Sequence, residues 1–481
     1  MTRLAGPSVR RQTPPVTPLP VSATRAAGAL GPLAEGAAGA VAMTGVVTGA
    51  LGVALAAAER PSFLAPPRLH GDAQWLAGPL AGLWPSLTTT VGSLRWDLSL
   101  ALLAMTACWV IAVATAPRLK LPAVFAAVVL AVVVLSLAPP FSLTDTFNYL
   151  HYGRMQPLYG LNPYASLPLQ AASDPAYAYS TWHHLPSPYG PLFTLLTEGL
   201  ARFSLPTAYW ILKAVVGLSA LAVAALTALL AKQLGRDPAR AVAFVALNPL
   251  VLVYGVGGVH NDMLFMTLLL AGALLMVWRH DGLGGSAWAA AAAIKLSAGL
   301  AIPVLIAGSR RRWRAAAGVV TGGIVLGAVT WFAFGGHLPN DGDQARLVAS
   351  LSLPNLAGIA AGRGGLDGQL RGELDVALVL LSLGLVIWTW RTRDWPTATA
   401  WALALLIVTL GWAMPWYVLW VLPFAALSPR AGPRAAAIAL TVFLLAVWAP
   451  ATPPLLHRLG IRPGATAVGR ENSRYLQSLL R

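Results

Sequence analysis

The feature that most constrains this chain is a succession of apolar runs separated by short polar turns. They cover residues 39–58, 98–116, 121–138, 207–231, 241–257, 263–278, 315–334, 376–390, 397–412, 416–427 and 435–448. A bilayer leaves no water for unpaired backbone groups, so runs of this kind read as helices that pair their own backbone. At 1.5 Å per residue, about 20 residues in a helix cross its ~30 Å core. The expected architecture is therefore an all-α polytopic membrane protein of about 11–13 transmembrane helices. Composition agrees: 57% of the 481 residues are apolar and 10% charged, where soluble domains carry about a quarter charged residues.

A formal charge of +16 would suggest nucleic acid as the partner of a soluble protein. Here the basic residues cluster in short loops, and the positive-inside bias explains them with membrane lipid as the partner and no nucleic acid. Arg3, Arg10, Arg11 and Arg25, Arg118 with Lys120, Lys232 with Arg236 and Arg240, and Arg430 with Arg434 then lie in the cytoplasm. Segments 59–97, 139–206, 335–375 and the turn ending at Asp262 fall on the outer side as ordered loops. The cluster SRRRWR (309–314) belongs inside only if residues 286–308 form a re-entrant helical hairpin, with Lys295 near its tip. Arg458, Arg462, Arg470 and Arg474 still fall outside, against the bias. Three parts are expected: a disordered cytoplasmic tail (1–37), a transmembrane catalytic domain (38–450) and a basic C-terminal tail (451–481). The single cysteine, Cys108, excludes an intrachain disulfide and any cysteine-based metal site.

Polar chemistry concentrates at the outer ends of the apolar runs. LTDTFNYLHYGR (143–154) places Asp145 at the mouth of the third run, followed by Tyr149, His151, Tyr152 and Arg154. The same loop continues through GLNPY, with Asn162 and Tyr164, to HHLPSPYGPLF, with His183, His184 and Tyr189. Proline fixes φ, so NPY and SPYGP also serve as plain structural turns. GGVHND (257–262) interrupts two apolar runs with His260, Asn261 and Asp262 in succession, after glycines that permit close approach. An interhelical turn has no need of a histidine. A divalent cation shared by Asp145 and Asp262 is geometrically admissible, although an HxD spacing alone makes no metal site. Lys295 stands in an alanine-rich run, where an ammonium is costly and calls for a partner, a protein carboxylate or a lipid phosphate. Lys213 is expected to snorkel to the interface. MPWYVLW (414–420) puts Trp416 and Tyr417 at an outer turn, which suits an aromatic belt or sugar stacking.

TDTFNYLHYGR with GLNPY, SPYGPL, NPLVLVYGVGGVHND, the run around Lys295 and PWYVLW together resemble the GT-C superfamily, and within it the polyprenol-phosphomannose-dependent α-1,6-mannosyltransferases of the MptA/MptB type. The resemblance covers roughly residues 139–423. It implies a GT-C-like bundle and an integral-membrane glycosyltransferase. Such an enzyme moves mannose from a polyprenyl-phosphate donor to a lipid-linked mannan by inverting single displacement. It uses no sugar nucleotide, works at the extracytoplasmic face of the cell membrane, and needs no cofactor beyond the divalent cation considered above. By motif position Asp145 would be the base and Asp262 a supporting acid. Arg154, His183, His184, His260 and Lys295 would then be candidates for the departing phosphate. A transferase of another carrier-linked sugar, such as arabinofuranose, and a transporter or flippase of lipid-linked sugars are the competing readings.

Overall fold

A computed structural model describes residues 31–59, 74–84, 91–141, 144–340 and 342–480. Most of the expected N-terminal tail and part of the first outer segment lie outside these residues. In chain order the helices that matter here are α1 (Pro32–Glu59), α2 (Val91–Thr115), α3 (Leu121–Ser136), α4 (Asp145–Tyr159), α5 (Pro191–Leu200), α6 (Leu205–Gln233), α7 (Pro238–Ala246) and α8 (Asp262–Val277). They continue with α9 (Asp281–Ile294), α10 (Ala301–Gly308), α11 (Arg312–Phe334), α12 (Gly368–Thr392), α13 (Trp395–Thr409), α14 (Val418–Leu427), α15 (Ala431–Trp448) and α16 (Ala467–Leu480). Every described regular element is helical, and the chain is an all-α polytopic membrane protein.

Among the described residues five helices, α1, α2, α6, α11 and α15, are long and apolar enough to cross a membrane, and α7 with the π-helical stretch Val251–Gly257 makes a sixth candidate bent by 63°. Other apolar runs form helices of 10–17 residues, α3, α8 and α13 among them. The eleven runs are thus present as helices, but several are cut short where a proline or a polar turn enters, and those turns converge on the candidate site. Start signals are local. Side chains of Ser204, Asp237, Asp367 and Asp394 cap α6, α7, α12 and α13 by accepting a backbone N–H, satisfying donors that a helix leaves orphaned. Packing is inverted relative to a soluble protein: Val320, Ile324, Val325 and Phe332 of α11 and Val376, Val379 and Leu380 of α12 are exposed, as lipid-facing side chains should be.

Segment 281–309 folds back on itself. Helix α9 stops at Lys295, whose backbone is extended (φ −149°, ψ 121°). A 3-10 turn, Leu296–Leu300, and α10 then return the chain, and the Ser309 hydroxyl donates to the Asp281 carboxylate. Both ends therefore meet at one level, with Lys295 at the tip. The 14 residues of α9 hold that tip about 21 Å from the base. The base lies on an arginine-rich side, where the Arg393 guanidinium donates to the Ser309 carbonyl, Arg312 to Trp390 and Arg430 to Asp394.

Two segments take forms that the sequence did not suggest. Lys213 does not snorkel. It is buried and its ammonium donates to the carbonyls of Leu135 (3.1 Å) and Ala138, closing the C-terminal end of α3, where unpaired carbonyls favour a cation. The C-terminal segment carries α16, docked on the side where α4 begins. Leu479 is buried against Tyr152, Trp182 and Leu185, its carbonyl accepts the His184 N–H at 3.1 Å, and the Tyr475 hydroxyl donates to Asp343 at 3.0 Å.

Candidate active site

The TDTFNY and GGVHND motifs are sewn together through their backbones. Phe141 N–H donates to the Gly257 carbonyl at 3.2 Å, and the Thr146 hydroxyl donates to the Gly258 carbonyl at 3.3 Å. The turn is tight. A Cβ on Gly258 would lie 2.1 Å from the Tyr254 carbonyl oxygen and 2.7 Å from His260 Nε2, so no other residue fits without moving backbone. Val259 follows at φ 59°, a left-handed conformation that costs a β-branched residue on the order of 1–3 kcal/mol. Backbone bonds from Val259 to Val256 and from His260 to Gly255, both 3.1 Å, hold it there. The result aims His260 and Asp262 at the start of α4.

Asp145 is the first residue of α4, where free N–H groups favour a carboxylate. Its Oδ2 lies 3.5 Å from His260 Nδ1, and its side chain keeps 18% of its surface exposed. Burial pushes its pKa up to about 6, opposed by the Lys295 charge and by side-chain hydrogen bonds from Asn148 and Trp182. His260 Nδ1 is also 3.4 Å from the Tyr149 hydroxyl, and the imidazole stacks on the Trp416 indole at 3.4 Å. Burial first, and then Lys295, hold the His260 pKa well below its ordinary value, so this ring is neutral and orients Asp145 without competing for its charge.

Asp262 is fully buried. Both of its oxygens accept from Lys295 Nζ at 2.9 Å, and Oδ1 also accepts from Trp420 Nε1 at 2.6 Å. The ammonium lies 4.6 Å from the centre of the Tyr417 ring and 5.3 Å from that of Trp420. It retains 22% side-chain exposure. Gly190 of SPYGPL explains the reach of this hairpin tip: its N–H donates to the Ile294 carbonyl at 3.1 Å, and a Cβ there would sit 2.2 Å from the Ala293 carbonyl oxygen. Tyr189 beside it packs edge-on against Tyr149 at 4.7 Å. Unpartnered polar atoms collect around the same turn: His260 Nε2, both amide atoms of Asn261 and Trp416 Nε1 are buried without a hydrogen-bond partner among the described residues.

Residues 36–311, more than half the chain, match the family described as alpha-(1->6)-mannopyranosyltransferase, N-terminal domain. The chain belongs to that family. An Alpha-(1->6)-mannopyranosyltransferase A of Mycobacterium tuberculosis is 30% identical over 353 residues, 66% of this chain and 67% of the relative. One of the same name from Corynebacterium glutamicum is 24% identical over 333 residues, 60% of this chain and 67% of the relative. No solved structure matches. The chain is accordingly a membrane glycosyltransferase of the α-1,6-mannosyltransferase family, consistent with a GT-C assignment.

Within this mannosyltransferase the structure brings together Asp145, Tyr149, Tyr189, His260, Asn261, Asp262, Lys295, Trp416 and Tyr417. It assigns other candidates elsewhere. Arg154 forms a buried ion pair with Asp174 (2.8 Å), so its charge is already spent. His151 contacts the Ala171 carbonyl and Ser180. His183 stacks on Tyr177 at 4.0 Å, and the His184 backbone holds Leu479. Asn162 closes a turn with the Tyr164 N–H and donates to the Phe334 carbonyl at 2.8 Å. The Tyr164 hydroxyl donates to the Tyr189 carbonyl and bonds Thr194. The contacts just named for these five residues and Arg154 are ones that build the loop. Trp416 and Tyr417 are buried under His260 and Lys295, so the belt reading fails. Asn148, Trp182 and Trp420 were missed. Asn148 is one turn from Asp145, and Trp420 one turn from Tyr417, spacings that put side chains on one helix face. Trp182 precedes His183 and carries no such signal.

A divalent ion shared by Asp145 and Asp262 does not suit this arrangement, because Lys295 and Trp420 already engage the oxygens of Asp262. Among the described residues no group of three His, Cys, Asp or Glu side chains is placed to hold a metal.

Proposed function

We propose that this enzyme transfers a mannosyl residue from polyprenyl-phosphate mannose to a lipid-linked glycan at the outer face of the cell membrane, by a single inverting displacement. One observation carries the reading. A partly exposed carboxylate with a raised pKa, Asp145, shares a site with a partly exposed ammonium, Lys295, while the second acid is locked against that ammonium. Asp145 accepts the proton of the acceptor hydroxyl as its oxygen bonds to the anomeric carbon. The bond from that carbon to the phosphate oxygen breaks on the opposite face, and polyprenyl phosphate leaves with the electron pair. Inversion turns a β-linked sugar phosphate into an α-linked product.

Phosphate is a good leaving group, so charge stabilisation matters more than protonation. Lys295, oriented by Asp262 and Trp420, supplies the N–H that faces it. Asn261, His260 Nε2 and Trp416 Nε1 add buried polar atoms without a hydrogen-bond partner at the turn behind these groups. An apolar bundle with a polar mouth suits a long prenyl chain, which lipid and helix faces solvate alike. The outward orientation is supported by the arginine-rich opposite side, which the positive-inside bias places in the cytoplasm.

The test is transfer by purified enzyme from a panel of polyprenyl-phosphate sugars, with linkage analysis. Formation of an α-1,6-mannoside only from the mannosyl donor is expected. Preference for an arabinofuranosyl donor, or vesicle-to-vesicle movement of lipid-linked sugar without new linkages, overturns the reading.

A further inference from the structure

At the base of the hairpin, on the arginine-rich side, α9 and α11 border an open surface cleft of about 550 Å³. Arg279, His280 and Arg314 line it together with the smaller Ser286, Ala317 and Thr321, and Ala317 and Thr321 are exposed. Arg279 and Arg314 are exposed and have no acidic partner within ion-pair distance among the described residues. The acid in the cleft, Asp281, is buried and accepts from the Ser309 hydroxyl. Its carboxylate is therefore held by that neutral partner instead of by either guanidinium. Next to these arginines in the chain stand two exposed tryptophans, Trp278 at 47% exposure and Trp313 at 88%. Below them the exposed face of α11 is apolar, with Val320 and Ile324 outward.

We propose that this cleft binds an anionic membrane phospholipid, a site separate from the transferase centre about 21 Å away along α9. Paired guanidinium groups match phosphate oxygens in bidentate fashion. Tryptophans at this density mark the membrane interface, and basic pockets between helices on the cytoplasmic side are suited to acidic headgroups. The small side chains of Ser286, Ala317 and Thr321 leave room for the start of an acyl chain along α11. A free anion would use the arginines alone and gain nothing from the tryptophans or the apolar face. The polar mouth above an apolar wall therefore favours the lipid.

Enzyme in phosphatidylcholine nanodiscs, titrated with phosphatidylglycerol and followed by thermal melting and native mass spectrometry of retained lipid, tests this. Phosphatidylglycerol is expected to raise the melting temperature and to be retained, with inorganic phosphate inert at the same concentration. The double variant Arg279→Ala/Arg314→Ala should weaken retention about 30-fold, on the order of 1 kcal/mol per charge, with transfer in phosphatidylcholine unchanged. If that variant does not fold, Ala317→Trp places a bulky side chain in the cleft without touching charge and should abolish retention equally. Equal shifts from inorganic phosphate, or undiminished retention in whichever variant folds, overturn the site.

Discussion

Two buried ion pairs lie within the polar half of this molecule, and they are built for different ends. Arg154–Asp174 is 2.8 Å long with the arginine 10% exposed and the acid fully covered. Asp174 also accepts from the Tyr159 hydroxyl and the Ala176 N–H, and Arg154 also reaches the Phe203 carbonyl. Nothing in this pair faces outward. Lys295–Asp262 is 2.9 Å long with an equally covered acid, yet its ammonium keeps 22% exposure and lies against two aromatic faces. A guanidinium whose donors are absorbed on all sides fixes a loop. A partly exposed ammonium held at the tip of a hairpin is poised for an anion that arrives later. Length and burial of the acid do not distinguish the pairs; only the exposure of the cation and the direction of its remaining donors do.

That contrast can be attacked from several directions. The largest effect is expected at the acid that neither pair ties down: Asp145→Asn should lower kcat by about 10²–10⁴-fold, the usual contribution of a positioned base, with melting temperature unchanged. If Asp174→Asn, folded, did the same, the division between reacting and structural acids would be wrong. Lys295→Met should cost about 10²–10³-fold in kcat, comparable to losing one preorganised donor to a developing oxyanion, and should also move the acid limb of the pH profile upward. The sign follows from Lys295 favouring ionised Asp145: without that charge the carboxylate holds its proton to higher pH. An acid limb that stayed in place would mean the two groups do not interact.

Asp174→Ala leaves a buried guanidinium unpaired and should destabilise the fold by about 3–5 kcal/mol, read as thermal unfolding in detergent, while activity per folded molecule stays within a few-fold. Smallest is the wild-type titration. Only ionised Asp145 accepts a proton, so activity should be full at neutral pH and fall to half near pH 6, the pKa to which burial raises it. A profile flat to well below pH 5 would remove Asp145 as base.

Sequence revealed the fold class because solvent sets it: each apolar run appears as a helix. The site was legible in its two motifs for the same local reason, since an acid at a helix start and a histidine after paired glycines are costly placements that call for a purpose. The distinction between Asp262 and Asp145 was not legible. Both are acids at a helix start, and only the arrival of Lys295 from a hairpin 33 residues later separates them. Arg154 misled for the converse reason, because the partner that neutralises it stands 20 residues away on a loop without periodicity. Trp416 and Tyr417 looked like interface anchors since aromatic composition is the same at a membrane rim and in a cation-binding floor; which one applies depends on what packs above them.

The docking of α16 has a practical outcome. Leu479 packs in one cluster with Trp182, whose side chain bonds Asp145, so the last turn of α16 buttresses the loop beside the candidate base. A bulky side chain introduced on this last turn of α16 would press on the loop that carries Trp182.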